Sequence, residues 1–203
     1  MSFTVQASWL GLQTNSPSLP PVLKLAASLR IELLHVKPLV WRRFVVPADI
    51  PLPKLHKVIH FVMGWEDTHL HEFAINGERF GVQDKDVSNE SLRSEKGVRL
   101  NKALGAATEF EYHYDFGDDW QHRVIVESVG CPDLALALPV CQAGENACPP
   151  EDVGGPHGYA EFLAALRDKT HEQHNDFRLW IGGVFDPVGF DVNAVNARLR
   201  AIR

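Results

Sequence analysis

Two histidines separated by one residue, His69 and His71, are the first side chains whose spacing suggests chemistry. On a β-strand, side chains two residues apart point to the same face, and paired imidazoles are ligands that metal sites use. Asp67 is close enough along the chain to add a carboxylate. Phe73 and Ile75 continue the same face, so the alternative to a divalent-metal site is a hydrogen-bonded structural pair.

A second candidate is the segment 115–122, in which acidic residues precede an aromatic residue and a histidine. A carboxylate beside an imidazole can orient it as a general base, although Asp and Gly in this pattern are also what a turn needs. If a pocket exists, we expect it where the strand bearing the paired histidines approaches the tip of this segment. The candidate pocket residues are Trp65, His69, His71, Tyr114, Asp118, Trp120 and His122.

Two further groups have weaker metal-ligand spacing. Cys141, Cys148 and His157 form a second candidate metal site, but the spacing is longer than the Cys-x2-Cys of a zinc site, and free packed cysteines are the alternative. His56 and His60 are four residues apart on a predicted helix without an adjacent Glu, so we expect them on a solvated polar flank.

A hairpin over 108–127 is the clearest element that positions these residues. Aromatic residues alternate with polar ones along its first half, which is the period of a half-buried strand; they are Phe110, Tyr112, Tyr114 and Phe116. A three-residue loop at 117–119 pairs Phe116 with Trp120 and places both apolar sets on one face. In this register His122 points inward, opposite Tyr114.

The remaining pattern predicts an α+β fold: an antiparallel or mixed sheet with hairpins, one helix after the second strand and a C-terminal group of helices. Besides the hairpin, strands are expected at 23–36, 39–46, 69–75 and 79–82, with a short one near 136–140. Helices are expected at 52–63, from 158 onward, at 172–181 and after the N-cap Asp191. Residues 83–97 are predicted to be a loop, residues 1–22 a flexible tail and residues 23–203 a single domain.

Composition limits the classes of function. The chain has 203 residues, 45% hydrophobic, with a formal net charge of -6, which argues against general nucleic-acid binding. No apolar run is long enough for a membrane span and no signal pattern begins the chain, so a cytoplasmic protein is expected. Three cysteines, an odd number, fit a reducing compartment with free thiols and no disulfide between Cys141 and Cys148.

Several strings together resemble the plasmid pRiA open-reading-frame-three-like family, whose members are often labelled TnpR passenger proteins of insertion elements. The strings are Trp41-Arg42-Arg43, Met63-Gly64-Trp65, His69 to Phe73, Tyr114 to His122, Cys148 to Tyr159, and Phe185-Asp186-Pro187 with Phe190-Asp191. The resemblance covers about residues 23–202 and implies an α+β protein associated with plasmids and mobile elements. Many relatives have a cysteine where this chain has Val153, which weakens a zinc site in the cysteine loop.

The absence of a complete catalytic signature favours a non-enzymatic binding or accessory module. No serine-recombinase pattern supports the resolvase activity that the TnpR label suggests. The alternative is a metal-dependent hydrolase or nuclease built from His69, His71, Asp118 and His122. No cofactor is expected apart from a divalent metal at one of these sites, and the expected partner is a protein or a small ligand.

Overall fold

The computed structural model of the protein describes residues 25–83, 91–131, 133 and 137–202. The predicted tail at 1–22 lies outside these residues. In the described part, the strands are β1 Ala26–Leu33, β2 Trp41–Pro47, β3 His71–Ile75, β4 Glu78–Gly81, β5 Leu92–Ser94, β6 Glu109–Tyr114, β7 Trp120–Gly130 and β8 Val140–Glu145. The helices are α1 Leu52–Met63, α2 Leu100–Leu104, α3 Gly155–Arg167, α4 His174–Trp180 and α5 Val192–Leu199, followed by a 3-10 turn at Arg200–Ile202.

All eight strands form one sheet in the order β5-β4-β3-β6-β7-β1-β2-β8. Neighbouring strands are antiparallel, apart from the parallel pair β4 and β5. The sheet is therefore mixed, the β6–β7 hairpin lies near its centre, and the predicted α+β class is confirmed. None of the helices in the described residues has the length and apolar character that crossing a bilayer requires.

The predicted face of the central hairpin is confirmed, but its register is wrong by two residues. Trp120 pairs with Tyr114, and His122 pairs with Tyr112. The turn has five residues, 115–119, instead of three, so Phe116 lies within it and is exposed. Because side chains alternate with period two, a shift of two residues keeps each aromatic side chain on its predicted face; Phe110, Tyr112, Tyr114 and Trp120 are all buried.

Helix α1 begins and ends where the sequence predicts. Pro53 lies in its first turn, where a missing N–H costs nothing. Gly64 ends it in the left-handed conformation, and the Gly64 amide donates to the carbonyl of His60 at 2.8 Å. Its apolar stripe is buried in the main core, so the 3.6-residue period identified the packed face correctly.

Two other segments differ from expectation in detail. The stretch predicted as a loop, 83–97, contains the three-residue edge strand β5. The strand expected near 136–140 begins only at Val140 and pairs with β2. Strand ends differ by a few residues in both directions, since β1 is shorter than predicted and β7 is longer.

The predicted start of α5 is confirmed. Asp191 is its N-cap, and the Asp191 carboxylate accepts from the amides of Asn193 and Ala194.

Candidate metal centre

His69 lies just before β3, and three carboxylates surround its Nε2 atom. Nε2 is 3.6 Å from Asp115 Oδ2 and 3.5 Å from Glu151 Oε2. Asp152, whose side chain is 75% exposed, places Oδ1 3.3 Å from the same nitrogen. We call His69, Asp115, Glu151 and Asp152 the carboxylate centre.

The turn between β6 and β7 fixes Asp115. Asp115 and Asp119 have positive φ angles of 55° and 57°, a conformation that Asp adopts more readily than most residues. Oδ1 of Asp115 accepts hydrogen bonds from the amides of Gly117 and Asp118, at 2.9 and 3.3 Å. Because Oδ1 is used within the turn, Oδ2 is the oxygen that faces His69.

The loop after β8 brings Glu151 and Asp152 to the same hairpin. The Gly154 amide donates to Asp118 Oδ2 at 3.1 Å. Gly155 has a φ of 67°, and a Cβ at this position would lie 2.4 Å from the Asp118 carbonyl oxygen. Only glycine allows so close an approach, so this part of the loop is adapted to the hairpin that carries Asp115.

Glu151 is held through one of its two carboxylate oxygens. Oε1 accepts from the Glu66 amide at 2.8 Å and from the Tyr114 hydroxyl at 3.0 Å. Burial raises the pKa of Tyr114 to about 12, which keeps it a hydrogen-bond donor. Glu151 Oε2 and His69 Nε2 are buried atoms without a hydrogen-bond partner. Burial also raises the pKa of the Glu151 carboxyl, because removal from water disfavours its charged form.

The other histidines of the sequence-predicted pocket have partners of their own. His71 Nε2 is 2.9 Å from Glu95 Oε2, and both side chains are buried. His122 accepts from Trp65 Nε1 at 3.3 Å, and its Nδ1 faces the Tyr112 carbonyl oxygen at 3.1 Å. Burial lowers the pKa of His122 to about 4, so it is neutral at pH 7.

The aromatic residues and Asp118 of the predicted pocket lie around the histidines and the carboxylate centre. The Trp65 ring packs against Tyr114 and Trp120, with centroids 5.3 and 5.4 Å apart. Asp118 faces the Gly154 amide and not the histidines. Of the predicted pocket residues, the structure therefore places only His69 in the carboxylate centre, with Tyr114 bound to one of its carboxylates.

His56 and His60, predicted to be solvated, are buried. Their side chains are 8% and 2% exposed. The prediction was wrong because α1 presents this flank to rings of the sheet: His56 stacks on His71 with centroids 3.5 Å apart, and His60 meets the Tyr114 ring at 4.8 Å. Burial lowers the pKa of His56 to about 4 and that of His60 to about 3.

Cys141, Cys148 and His157 do not converge on one point. Cys141 is buried, with Sγ near the carbonyl oxygens of Arg43 and Ala143, while His157 is exposed. Burial raises the pKa of the Cys141 thiol to about 11 and that of Cys148 above its ordinary value. All three cysteines of the chain are free. Protonated thiols are poor metal ligands, since the thiolate is the binding form.

Sequence reasoning did not include three of the four residues of the carboxylate centre in the predicted pocket. Asp115 lay in the candidate segment 115–122, with a turn as the alternative, but was not chosen as a pocket residue, and Glu151 and Asp152 were treated as part of a long loop. A signal for the last two existed, because both lie in the Cys148-to-Tyr159 string that carried the family resemblance. Three carboxylates with one imidazole make a donor set suited to divalent ions such as Mn²⁺, Fe²⁺ or Zn²⁺.

Comparisons with known proteins place this chain in a wider group. The sequence model of the plasmid pRiA4b ORF-3-like proteins matches residues 26–194. The uncharacterized protein y4hQ of Sinorhizobium fredii is 39% identical over 155 residues, which are 76% of this chain and 79% of that protein. The crystal structure of MM3350 from Methanosarcina mazei Go1, a protein of unknown function, is similar with a TM-score of 0.77 and 37% sequence identity, covering 84% of this chain and 97% of that one.

Proposed function

The chain belongs to the plasmid pRiA4b ORF-3-like family, and from the geometry of its carboxylate centre we propose that it is a non-enzymatic accessory protein that binds a divalent metal ion. The ion is held by His69, Asp115 and Glu151, with Asp152 at the solvent side. In this role the protein acts with other components of plasmids or mobile elements, as the family association suggests.

The spacing of the donor atoms carries this proposal. The three carboxylate oxygens lie 3.3–3.6 Å from His69 Nε2, beyond the usual 2.7–3.2 Å range of N–H···O hydrogen bonds. Two ligand atoms on one tetrahedral ion, each about 2.1 Å from it, are about 3.4 Å apart. The donor atoms of His69, Asp115 and Glu151 all lie within 4.8 Å of one another, so small side-chain shifts bring them within the about 4.2 Å that two ligands of one ion can span.

Charge supports the same proposal. Three carboxylates face one imidazole, and none of these contacts meets the requirements of a hydrogen bond at His69 Nε2. Buried polar atoms in native proteins are nearly always satisfied, so an orphan donor–acceptor pair in contact needs an explanation. A divalent cation neutralises the excess negative charge and gives both Nε2 and Glu151 Oε2 a partner.

The ligands come from three segments that are distant along the chain. His69 precedes β3, Asp115 lies in the β6–β7 turn, and Glu151 and Asp152 lie in the loop before α3. An ion bound here ties these segments together, so binding stabilises the folded state by mass action.

Equilibrium dialysis of metal-free protein against Mn²⁺ tests the proposal. Glu151→Gln removes the charge at nearly constant shape, and the expected loss of Mn²⁺ affinity is at least about tenfold. Glu66→Gln is the matched control, because it removes one exposed negative charge near Glu151 while the backbone amide of residue 66 keeps its hydrogen bond to Glu151 Oε1. Equal Mn²⁺ binding by the wild type and Glu151→Gln contradicts the proposal.

A metal-dependent hydrolase is the second candidate, and the exposure of Asp152 favours it. Catalytic metal sites keep a position open for water or substrate, and the 75% exposed Asp152 side chain marks an open side. The test is hydrolysis of p-nitrophenyl phosphate and bis-p-nitrophenyl phosphate with Mn²⁺ or Zn²⁺. Metal-dependent turnover that Glu151→Gln abolishes and Glu66→Gln retains would replace the non-enzymatic proposal with this one.

A further inference from the structure

Helix α1 presents two imidazoles to a carboxylate just beyond its C-terminal end. His56 and His60 are one turn apart, so both rings lie on the same helix face. Asp67 follows the helix end at Gly64 with a φ of 65°. Its Oδ1 is 3.0 Å from His56 Nε2 and 3.8 Å from His60 Nδ1. We call these three residues the histidine centre.

His60 gives an independent sign that a ligand belongs here. Its side chain is 2% exposed, yet neither ring nitrogen has a hydrogen-bond partner. A neutral imidazole always carries one N–H donor and one bare nitrogen. Leaving these groups buried and unpaired is unfavourable, whereas an ion beside Nδ1 would use its lone pair.

His56 has the hydrogen bonding that metal-ligating histidines show. Its Nδ1 is hydrogen-bonded to the Tyr112 hydroxyl at 2.8 Å, and its Nε2 is hydrogen-bonded to Asp67 Oδ1 at 3.0 Å, a contact that a bound ion would replace. A ligating imidazole commonly donates its second N–H to such an outer partner, which fixes both tautomer and ring orientation. The His71 ring stacks on the His56 ring and is itself hydrogen-bonded to Glu95, so it restricts the orientation of His56.

We propose that His56, His60 and Asp67 form a second metal site, which binds a Zn²⁺-like ion separately from the carboxylate centre. Two imidazoles and one carboxylate are a three-ligand set for zinc, with the fourth position left to water. Asp67 is 53% exposed, so that position is reachable from solvent. The Tyr114 ring contacts both His60 and His69, at 4.8 and 5.9 Å, and so lies against both centres.

Zn²⁺ titration of the metal-free full chain by calorimetry tests this site. Asp67→Asn is the principal variant, since Asn keeps the left-handed backbone at φ 65° accessible while removing the charge. His60→Ala removes a nitrogen ligand. His157→Ala is the control, because it removes an exposed histidine outside both centres.

The wild type and His157→Ala are expected to bind two Zn²⁺ ions. Asp67→Asn is expected to bind one of them at least about tenfold more weakly, and His60→Ala to lose that ion. Glu151→Gln should keep the ion that depends on Asp67. If only the carboxylate centre does not bind Zn²⁺, the wild type binds one ion, and that ion is sensitive to Asp67→Asn. If only the histidine centre does not bind Zn²⁺, the one bound ion is sensitive to Glu151→Gln instead. Unchanged stoichiometry and affinity in Asp67→Asn overturn the second site even if His60→Ala does not fold.

Discussion

The Gly154 amide donates a hydrogen bond to the Asp118 carboxylate at 3.1 Å, and this contact fastens the loop bearing Glu151 to the hairpin bearing Asp115. The two segments are separated by more than thirty residues. The carboxylate centre therefore depends on a loop-to-turn contact in which the glycine at 155 allows close backbone approach.

Gly155→Ala should weaken metal binding without removing any ligand. Its Cβ would lie 2.4 Å from the Asp118 carbonyl oxygen, and the φ of 67° is unfavourable for alanine. The loop must then move away from the hairpin, and Glu151 moves with it. Mn²⁺ affinity measured by dialysis is expected to fall about tenfold or more.

Gly183→Ala provides the control for this substitution. No atom lies within 4 Å of a Cβ built at Gly183, so Mn²⁺ affinity should be unchanged. If Gly155→Ala binds Mn²⁺ as tightly as Gly183→Ala does, the loop-to-turn contact does not position Glu151.

Arg42→Met should destabilise the fold strongly. Arg42 is 2% exposed and donates to the carbonyl oxygens of Val62, Trp41, Glu145 and Asn146. Removing the guanidinium leaves buried acceptors unpaired, each at a cost of about 1–3 kcal/mol, so the total loss should be at least about 3 kcal/mol. Urea unfolding followed by tryptophan fluorescence measures it.

The neighbouring Arg43 supplies the comparison for Arg42. Its guanidinium pairs with Glu127 at the surface, at 2.7 and 2.8 Å. Exposed ion pairs contribute little to stability because water screens them, so Arg43→Met should change the free energy of unfolding far less than Arg42→Met. If the two variants lose similar free energies of unfolding, the buried hydrogen bonds of Arg42 do not stabilise the fold as predicted.

Acid should destabilise the metal-free protein through His122. Its folded pKa is about 4, against an ordinary value of 6.5. Between these values the unfolded chain binds a proton that the folded chain does not, so stability falls as pH falls from about 6.5 to 4 and levels off below. A shift of this size corresponds to roughly 3 kcal/mol.

The hydrogen bonds of His122 explain why protonation is unfavourable. Nε2 accepts from the indole N–H of Trp65, and Nδ1 faces a carbonyl oxygen, so the neutral tautomer satisfies both nitrogens. Urea unfolding at pH 7, 6, 5 and 4 with a chelator present should show a shallower pH slope for His122→Gln than for the wild type. Identical slopes would contradict the assignment.

Local patterns predicted the elements of this fold better than their connections. The period of apolar residues and the stop at Gly64 gave α1 its observed bounds, and alternation gave the buried face of the β6–β7 hairpin. The register was missed because a five-residue turn with Asp115 and Asp119 in the left-handed conformation was not one of the short turns considered. Strand β5 was missed because three polar-flanked residues at a sheet edge carry little periodicity.

The site was harder to predict because it depends on contacts between distant segments. Strand parity predicts which way His69 points, but it does not predict that Glu151 will lie beside it. Similarly, nothing local distinguishes His60 from a solvated residue, since its burial comes from the Tyr114 ring on another element. Tertiary packing decided both outcomes.

An anomalous-scattering map of crystals grown with Mn²⁺ would locate the bound ion itself. We expect a peak about 2.0–2.3 Å from His69 Nε2, Asp115 Oδ2 and Glu151 Oε2, and no peak at this position in Glu151→Gln crystals grown in the same way. A map without a peak there, in which His69 Nε2 instead donates a normal hydrogen bond to Glu151, would contradict it.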